Sequence, residues 1–202
     1  MTYTEIVFLS ENSELVLFDV TNQYVIEKHN KIKSSKYKDQ SKIGYSLLGK
    51  MLFEYYGVNI NDLNITENEY GKPCFSDCEI YFNISHSDNA VACSVSNSEV
   101  GVDIEKITEI RDNILKIYSP SEKEQVKSHE DFYKLWTLKE SVAKLSGKGL
   151  SVIKNIEFTI APEIRCKCCD LSENMQHKTY TYGEYVVSIS STDTISTPKV
   201  IK

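Results

Sequence analysis

Residues 132–150, FYKLWTLKESVAKLSGKGL, decide how the rest of the chain is read. Phe132, Leu135, Trp136, Leu138, Val142, Ala143 and Leu145 recur at helical spacing and give one broad apolar arc. Gly147 and Gly149 follow the last periodic residue, where a left-handed C-cap closes a helix. At about 100° of rotation per residue, Lys134, Thr137 and Ser141 fall on the opposite, polar side. Glu140 and Lys144 stand at i and i+4 on the border between the faces. Such a pair is ordinarily a surface ion pair stabilising by about 0.3–0.5 kcal/mol. Only what precedes the helix can make it a site. Lys139 points into the middle of the apolar arc, where a charge belongs only if its head group snorkels out or has a task.

With 202 residues, 41 % apolar and 26 % charged, the chain can bury a core as one domain or as two half-size units. No apolar run approaches the ~20 residues of a membrane span. Residues 1–18 lack the basic start and unbroken apolar core of a signal peptide, so a cytoplasmic protein with reduced thiols is expected. Cys166-Lys-Cys-Cys169 lacks the second Cys or His pair that a structural zinc site needs. A net charge of −6 argues against a nucleic-acid binder. Lys28, Lys31, Lys33, Lys36, Lys38 and Lys42 nevertheless cluster against one interrupting acid, Asp39. That local concentration reads either as a site for a compact anion such as a phosphorylated cofactor, or as a solvated helix face.

In chain order, Glu5–Leu9 and Leu15–Val20 read as strands around a turn at Ser10–Glu14. A helix carries Ile43, Leu47, Leu48, Met51, Leu52 and Tyr55 and ends at Gly57. Tyr70-Gly-Lys-Pro-Cys-Phe75 is a turn, and the alternation Ile80, Phe82, Ile84 is a strand running into Ser85-His-Ser-Asp88. Ala90–Val95 and Val100–Glu105 read as a hairpin around Asn97-Ser98. On its second strand Gly101, Asp103 and Glu105 share a face. Two carboxylates at i and i+2 repel unless something positive lies between them, which suits a hard divalent cation; the alternative is an exposed polar strand edge. Helices are expected at Arg111–Tyr118 and at Ser121–Lys127, the second with capping-box spacing at Ser121 and Glu124. Strands follow at Asn155–Ala161, Glu163–Cys169 and Thr179–Ser190. The pattern is that of an α+β chain with two halves, 1–103 and 104–202, meeting near Asp103.

Taken together, Tyr70-Gly-Lys-Pro73, Asn83-Ile-Ser-His-Ser87, Gly101-Val-Asp-Ile-Glu105 and Trp136-Thr-Leu-Lys-Glu-Ser-Val-Ala-Lys144 closely resemble the 4′-phosphopantetheinyl transferases, in particular the long, monomeric surfactin-synthetase-activator type. The resemblance implies two similar α+β halves in a pseudo-twofold arrangement with the active site between them. It implies Mg²⁺-dependent (or Mn²⁺-dependent) transfer of phosphopantetheine from coenzyme A to a serine of an acyl or peptidyl carrier protein, a transient partner, with release of 3′,5′-ADP. On that likeness Asp103, Glu105 and Glu140 match metal ligands, with Asp103 also in the coenzyme site. Glu140 matches the general base and Lys144 a phosphate contact. Ser85 and His86 match coenzyme-A phosphate contacts, and Lys72-Pro73 a loop against the nucleotide. Lys28, Lys31, Lys33 and Lys36 fall in the segment that meets the 3′-phosphate. The likeness departs where an arginine is usual before the hydroxyl residue that Ser46 resembles; here Tyr45 stands. Two other readings are a coenzyme-A- or carrier-binding module without catalysis, and a metal-dependent phosphodiesterase that removes the arm.

Overall fold

Residues 1–9, 18–168 and 174–201 are described by a computed structural model. In order they form β1 (Tyr3–Phe8), α1 (Gln23–Lys31), α2 (Ser35–Tyr56), β2 (Ile65–Glu67), β3 (Pro73–Phe75), β4 (Tyr81–Ser87), β5 (Ala90–Ser96), β6 (Val100–Lys106), α3 (Asp112–Leu115), α4 (Pro120–Gln125), α5 (His129–Ser146), β7 (Ile156–Thr159), β8 (Arg165–Cys168), β9 (Gln176–Tyr182), β10 (Tyr185–Ser191) and β11 (Lys199–Ile201). The class is α+β. One sheet has the order β11-β1-β5-β4 and the other β6-β10-β9, with two small two-stranded ladders besides.

Each large sheet carries one long helix. α2 starts at an N-cap, Ser34, whose hydroxyl accepts from Tyr37 N, and stops at Gly57 with φ +67°. Leu48, Met51 and Leu52 are fully buried in one core with Phe82 and Val95, each burial stabilising by roughly 2 kcal/mol. α5 begins at Ser128, whose side chain accepts from Asp131 N, and acidic Glu130 and Asp131 sit in its first turn, where the helix dipole favours them. It ends at Gly147, left-handed at φ +67°, as the glycine pattern predicts. Phe132, Leu135, Trp136, Leu138, Val142 and Ala143 pack with Ile153, Ile156, Phe158 and Val186 into a second core.

Of the side of α5 read as polar, Thr137 and Ser141 are in fact buried, while Lys134 is half-buried and pairs with Glu130. Thr137 Oγ1 lies 2.7 Å from Ser188 Oγ, and Ser141 Oγ 2.7 Å from Ser190 Oγ, both on β10. Hydroxyls survive there because each finds a partner inside. Lys139 neither snorkels nor reaches toward a site between the halves. It is buried with its ammonium on both oxygens of the equally buried Glu122 (2.7 and 2.9 Å) and on the Ile156 carbonyl. Glu122 in turn accepts from Ser119 N and Phe158 N, so the buried charge pair fixes α4 and β7 against α5.

Other expectations change for local reasons. The capping box is Ser119/Glu122, two residues earlier than read, because Pro120 takes the first helical position. The helix expected at Arg111–Tyr118 is the single turn of α3. β5 and β6 form no hairpin: β5 pairs with β4 and β1, whereas β6 pairs with β10 in the other sheet. Thr179–Ser190 is two strands turning at Gly183, whose φ is +57°. The predicted turn at Ser10–Glu14 lies outside the described residues. So does most of Leu15–Val20, and the part described, Phe18–Val20, is not strand. Cys169 also lies outside them.

Candidate active site

β4 and β6 are the facing edges of the two sheets, and side chains rather than a backbone ladder join them. Asn83 Oδ1 accepts from Val102 N (2.9 Å), Ser85 Oγ from Ile104 N (3.3 Å) and Ser87 Oγ from Lys106 N (3.2 Å). The constant offset means the strands run in the same direction, and the period of two puts all three side chains on one face. The serines also donate, Ser85 Oγ to Asp103 Oδ1 (2.9 Å) and Ser87 Oγ to Glu105 Oε2 (2.9 Å). Asn83 and Ser87 are thus participants that the sequence reading left without a role, although the alternation that reveals them was in view.

α5 lies directly on β6. A Cβ on Gly101 would fall 1.9 Å from the Ser141 carbonyl oxygen, so only glycine permits the approach. That closeness brings Lys144 Nζ to 2.6 Å from Asp103 Oδ1 and 2.8 Å from Ser85 Oγ. Asp103 is 4 % exposed, and its other oxygen, Oδ2, is buried without a hydrogen-bond partner among the described residues. Glu105 meets Arg111 Nη2 at 3.2 Å, and that guanidinium also lies over the Tyr133 ring. Burial and the charge of Asp103 push the Glu140 carboxyl up to about 7, with Lys144 opposing and Glu105 adding to the rise. Two cations therefore face three carboxyl groups, and a proton on Glu140 relieves the excess.

A dication fits this donor set in charge and in kind. The unpartnered Asp103 Oδ2 is a hard oxygen with nothing to bind, and Glu140 already feels both other carboxylates. Among the described residues, no three acidic, His or Cys side chains converge closely enough to hold a metal as they stand. Lys144 holds Asp103 Oδ1 and Arg111 holds Glu105 Oε2.

Of the residues matched to the coenzyme, Pro73 and His86 line one cleft with Lys28, Ser41, Tyr45 and Asn83. Of the lysine cluster, Lys28 is the member that lines this cleft. It sits over the Tyr24 and Tyr45 rings (5.4 and 5.8 Å), and burial lowers its pKa against the opposing pull of Glu67. Lys31 and Lys33 are exposed and outside the cleft, and Lys36 pairs with Asp88 at 2.9 Å. Lys72 turns its ammonium onto protein acceptors, Glu99 Oε2 (2.8 Å) and the Leu145 carbonyl (3.0 Å). Ser85, Asp103 and Lys144 are in mutual contact, and Glu105, two residues on along β6, is held by Ser87 and Arg111. Glu140 feels the charges of Asp103, Lys144 and Glu105.

A family model described as the 4′-phosphopantetheinyl transferase superfamily matches residues 99–190, from the start of β6 through β10. The 4′-phosphopantetheinyl transferase gsp of Aneurinibacillus migulanus is 35 % identical over 83 % of this chain and 90 % of its own length. The transferase Sfp of Bacillus subtilis is 34 % identical over 62 % of this chain and 61 % of its own length. HetI of Nostoc is 28 % identical over 59 % and 56 %. The chain belongs to the 4′-phosphopantetheinyl transferase superfamily.

Proposed function

We propose that the protein transfers the phosphopantetheine arm of coenzyme A to a serine of an acyl or peptidyl carrier protein, releasing 3′,5′-ADP. The observation that carries this reading is the cluster Asp103–Ser85–Lys144–Glu140 at the seam of the sheets, beside the cleft of Lys28, Pro73 and His86. Glu140, with a proton affinity matched to neutral pH, takes the proton of the attacking serine hydroxyl, directly or through water. Lys144 stands where negative charge gathers on the phosphate as the bond to ADP breaks. Asp103, Glu105 and Glu140 would hold Mg²⁺, which when bound would supply charge neutralisation on the pyrophosphate. Lys28 and His86 bind the nucleotide end, with Lys28 the cation most enclosed by the cleft. The two sheets, each with one long helix, are two pseudo-twofold halves of a cytoplasmic monomer.

The test is to incubate the protein with coenzyme A, Mg²⁺ and an apo-carrier and to weigh the carrier. Addition of one phosphopantetheinyl group to its serine supports the reading. Removal of the arm from a holo-carrier would make the protein a phosphodiesterase, and binding without a mass change would make it a non-catalytic module.

A further inference from the structure

The loop between β2 and β3 is tied to the catalytic helix rather than left free against solvent. Asn68 closes the loop on itself, its Oδ1 accepting from Tyr70 N (3.0 Å) and Lys72 N (2.9 Å), while Gly71 supplies φ +82°. Asn68 Nδ2 then donates to the Gly147 carbonyl at 3.0 Å, immediately beyond α5. Lys72 Nζ donates to the Leu145 carbonyl (3.0 Å) and, more weakly, to the Val100 carbonyl (3.4 Å), and pairs with Glu99 at 2.8 Å. The ends of α5 and β6 are thus gathered by two side chains of one loop. A cation on the last carbonyls of a helix satisfies acceptors that the helix itself leaves open and complements its dipole. The next residue, Pro73, lines the cleft that the proposed function gives to the nucleotide. Back from Gly147 along α5 stand Lys144, about one turn away, and Glu140, about two turns away.

We propose that Asn68 and Lys72 are positioning residues, a clasp that makes occupancy of the nucleotide cleft align the helix bearing Glu140 and Lys144. Lys72 on this account does not bind the coenzyme; its charge is engaged by protein acceptors. The clasp rests on the functional reading above, so its experiment uses a readout separate from transfer. Amide hydrogen exchange of the last turn of α5 is measured without and with saturating coenzyme A, in the wild type and in Asn68→Ala, Lys72→Met and Lys72→Arg. The expected result is that coenzyme A slows exchange there in the wild type and in Lys72→Arg but not in the other two. In transfer assays kcat should fall by about ten- to a hundred-fold in those two, the scale of a small misalignment, while the Kd for 3′,5′-ADP changes less than about threefold. Lys72→Arg should recover most of the rate, because a guanidinium can still donate to the Leu145 carbonyl at the end of α5 and to the Val100 carbonyl. Unchanged exchange in the wild type, or protection that persists in both variants, overturns the clasp. So does an intact kcat with a greatly weakened Kd, which would make Lys72 a coenzyme ligand. Failure of the wild type to modify any carrier while its helix end still responds to coenzyme A would instead count against the transferase reading.

Discussion

Lys144 Nζ lies 2.6 Å from Asp103 Oδ1, while Oδ2 of the same buried carboxylate has no partner among the described residues. The pair is half of an arrangement, oriented by the Ser85 hydroxyl that touches both. Leaving a buried oxygen unpaired costs about 1–3 kcal/mol, a cost typical of sites shaped for a ligand rather than for stability.

Glu140→Gln removes a carboxyl whose charge is opposed by Asp103 and Glu105. The variant should lose about 10²–10⁴ in kcat yet melt at the same temperature as the wild type or higher. Steady-state transfer and calorimetry on one preparation check both halves. A lowered melting temperature would mean that Glu140 is structural.

Lys139→Met should be damaging although it lies outside the site. It leaves the fully buried Glu122 without its cation, a loss of about 3–5 kcal/mol. Lys139→Met combined with Glu122→Gln removes the buried charge and keeps an acceptor for one of the two amides, Ser119 N or Phe158 N, so it should recover part of that loss in urea unfolding. No recovery would show that the Lys139 contact with Ile156 matters more than the charge pair.

His177 is packed edge-on against Phe158 with Nδ1 2.8 Å from Ser190 Oγ, and burial pushes its pKa down to about 4. The folded state therefore binds the proton less readily than the unfolded chain, whose histidines titrate near 6.5. As pH falls from about 6.5 to about 4, protons collect on the unfolded state and stability declines. The melting temperature should drop across that window, and His177→Gln should flatten the slope. An identical slope in the variant would assign the acid sensitivity to other groups.

The segment after α5 divides between two duties. Ile153 is 3 % exposed and belongs to the second core, whereas Leu150 is 64 % exposed with Lys148 and Lys154 exposed nearby. A carrier, typically acidic with an apolar patch beside its serine, should meet Leu150 and those lysines. Leu150→Asp should raise the Michaelis constant for the carrier and leave coenzyme-A binding and the melting temperature unchanged. Ile153→Asp should lower the melting temperature instead. An unaffected carrier constant in Leu150→Asp places docking elsewhere.

The motif-bearing strands and the catalytic helix were legible because their periodicity and glycines are local properties. Gly147 caps α5 for the reason that its position in the pattern announces. The burial of Thr137 and Ser141 was not legible, since it depends on Ser188 and Ser190 arriving from a strand far along the chain. Lys139 illustrates the same limit: its partner Glu122 sits on another helix, and helical geometry alone sends a lysine only to a face, not to a mate. The assignment of β5 and β6 to different sheets was likewise invisible, because two adjacent strands with a short turn look like a hairpin until a third strand competes for the second.

The seam between β4 and β6 has a consequence for how the molecule avoids its own kind. β6 is the outer strand of its sheet, and an outer strand with unpaired amides invites pairing with another chain. Here Val102, Ile104 and Lys106 each give their amide proton to a short side chain of β4. The strand that carries Asp103 and Glu105 is thereby closed to intermolecular pairing while its alternate side chains stay available for chemistry. Asn83, Ser85 and Ser87 act as gatekeepers against aggregation as much as builders of a pocket.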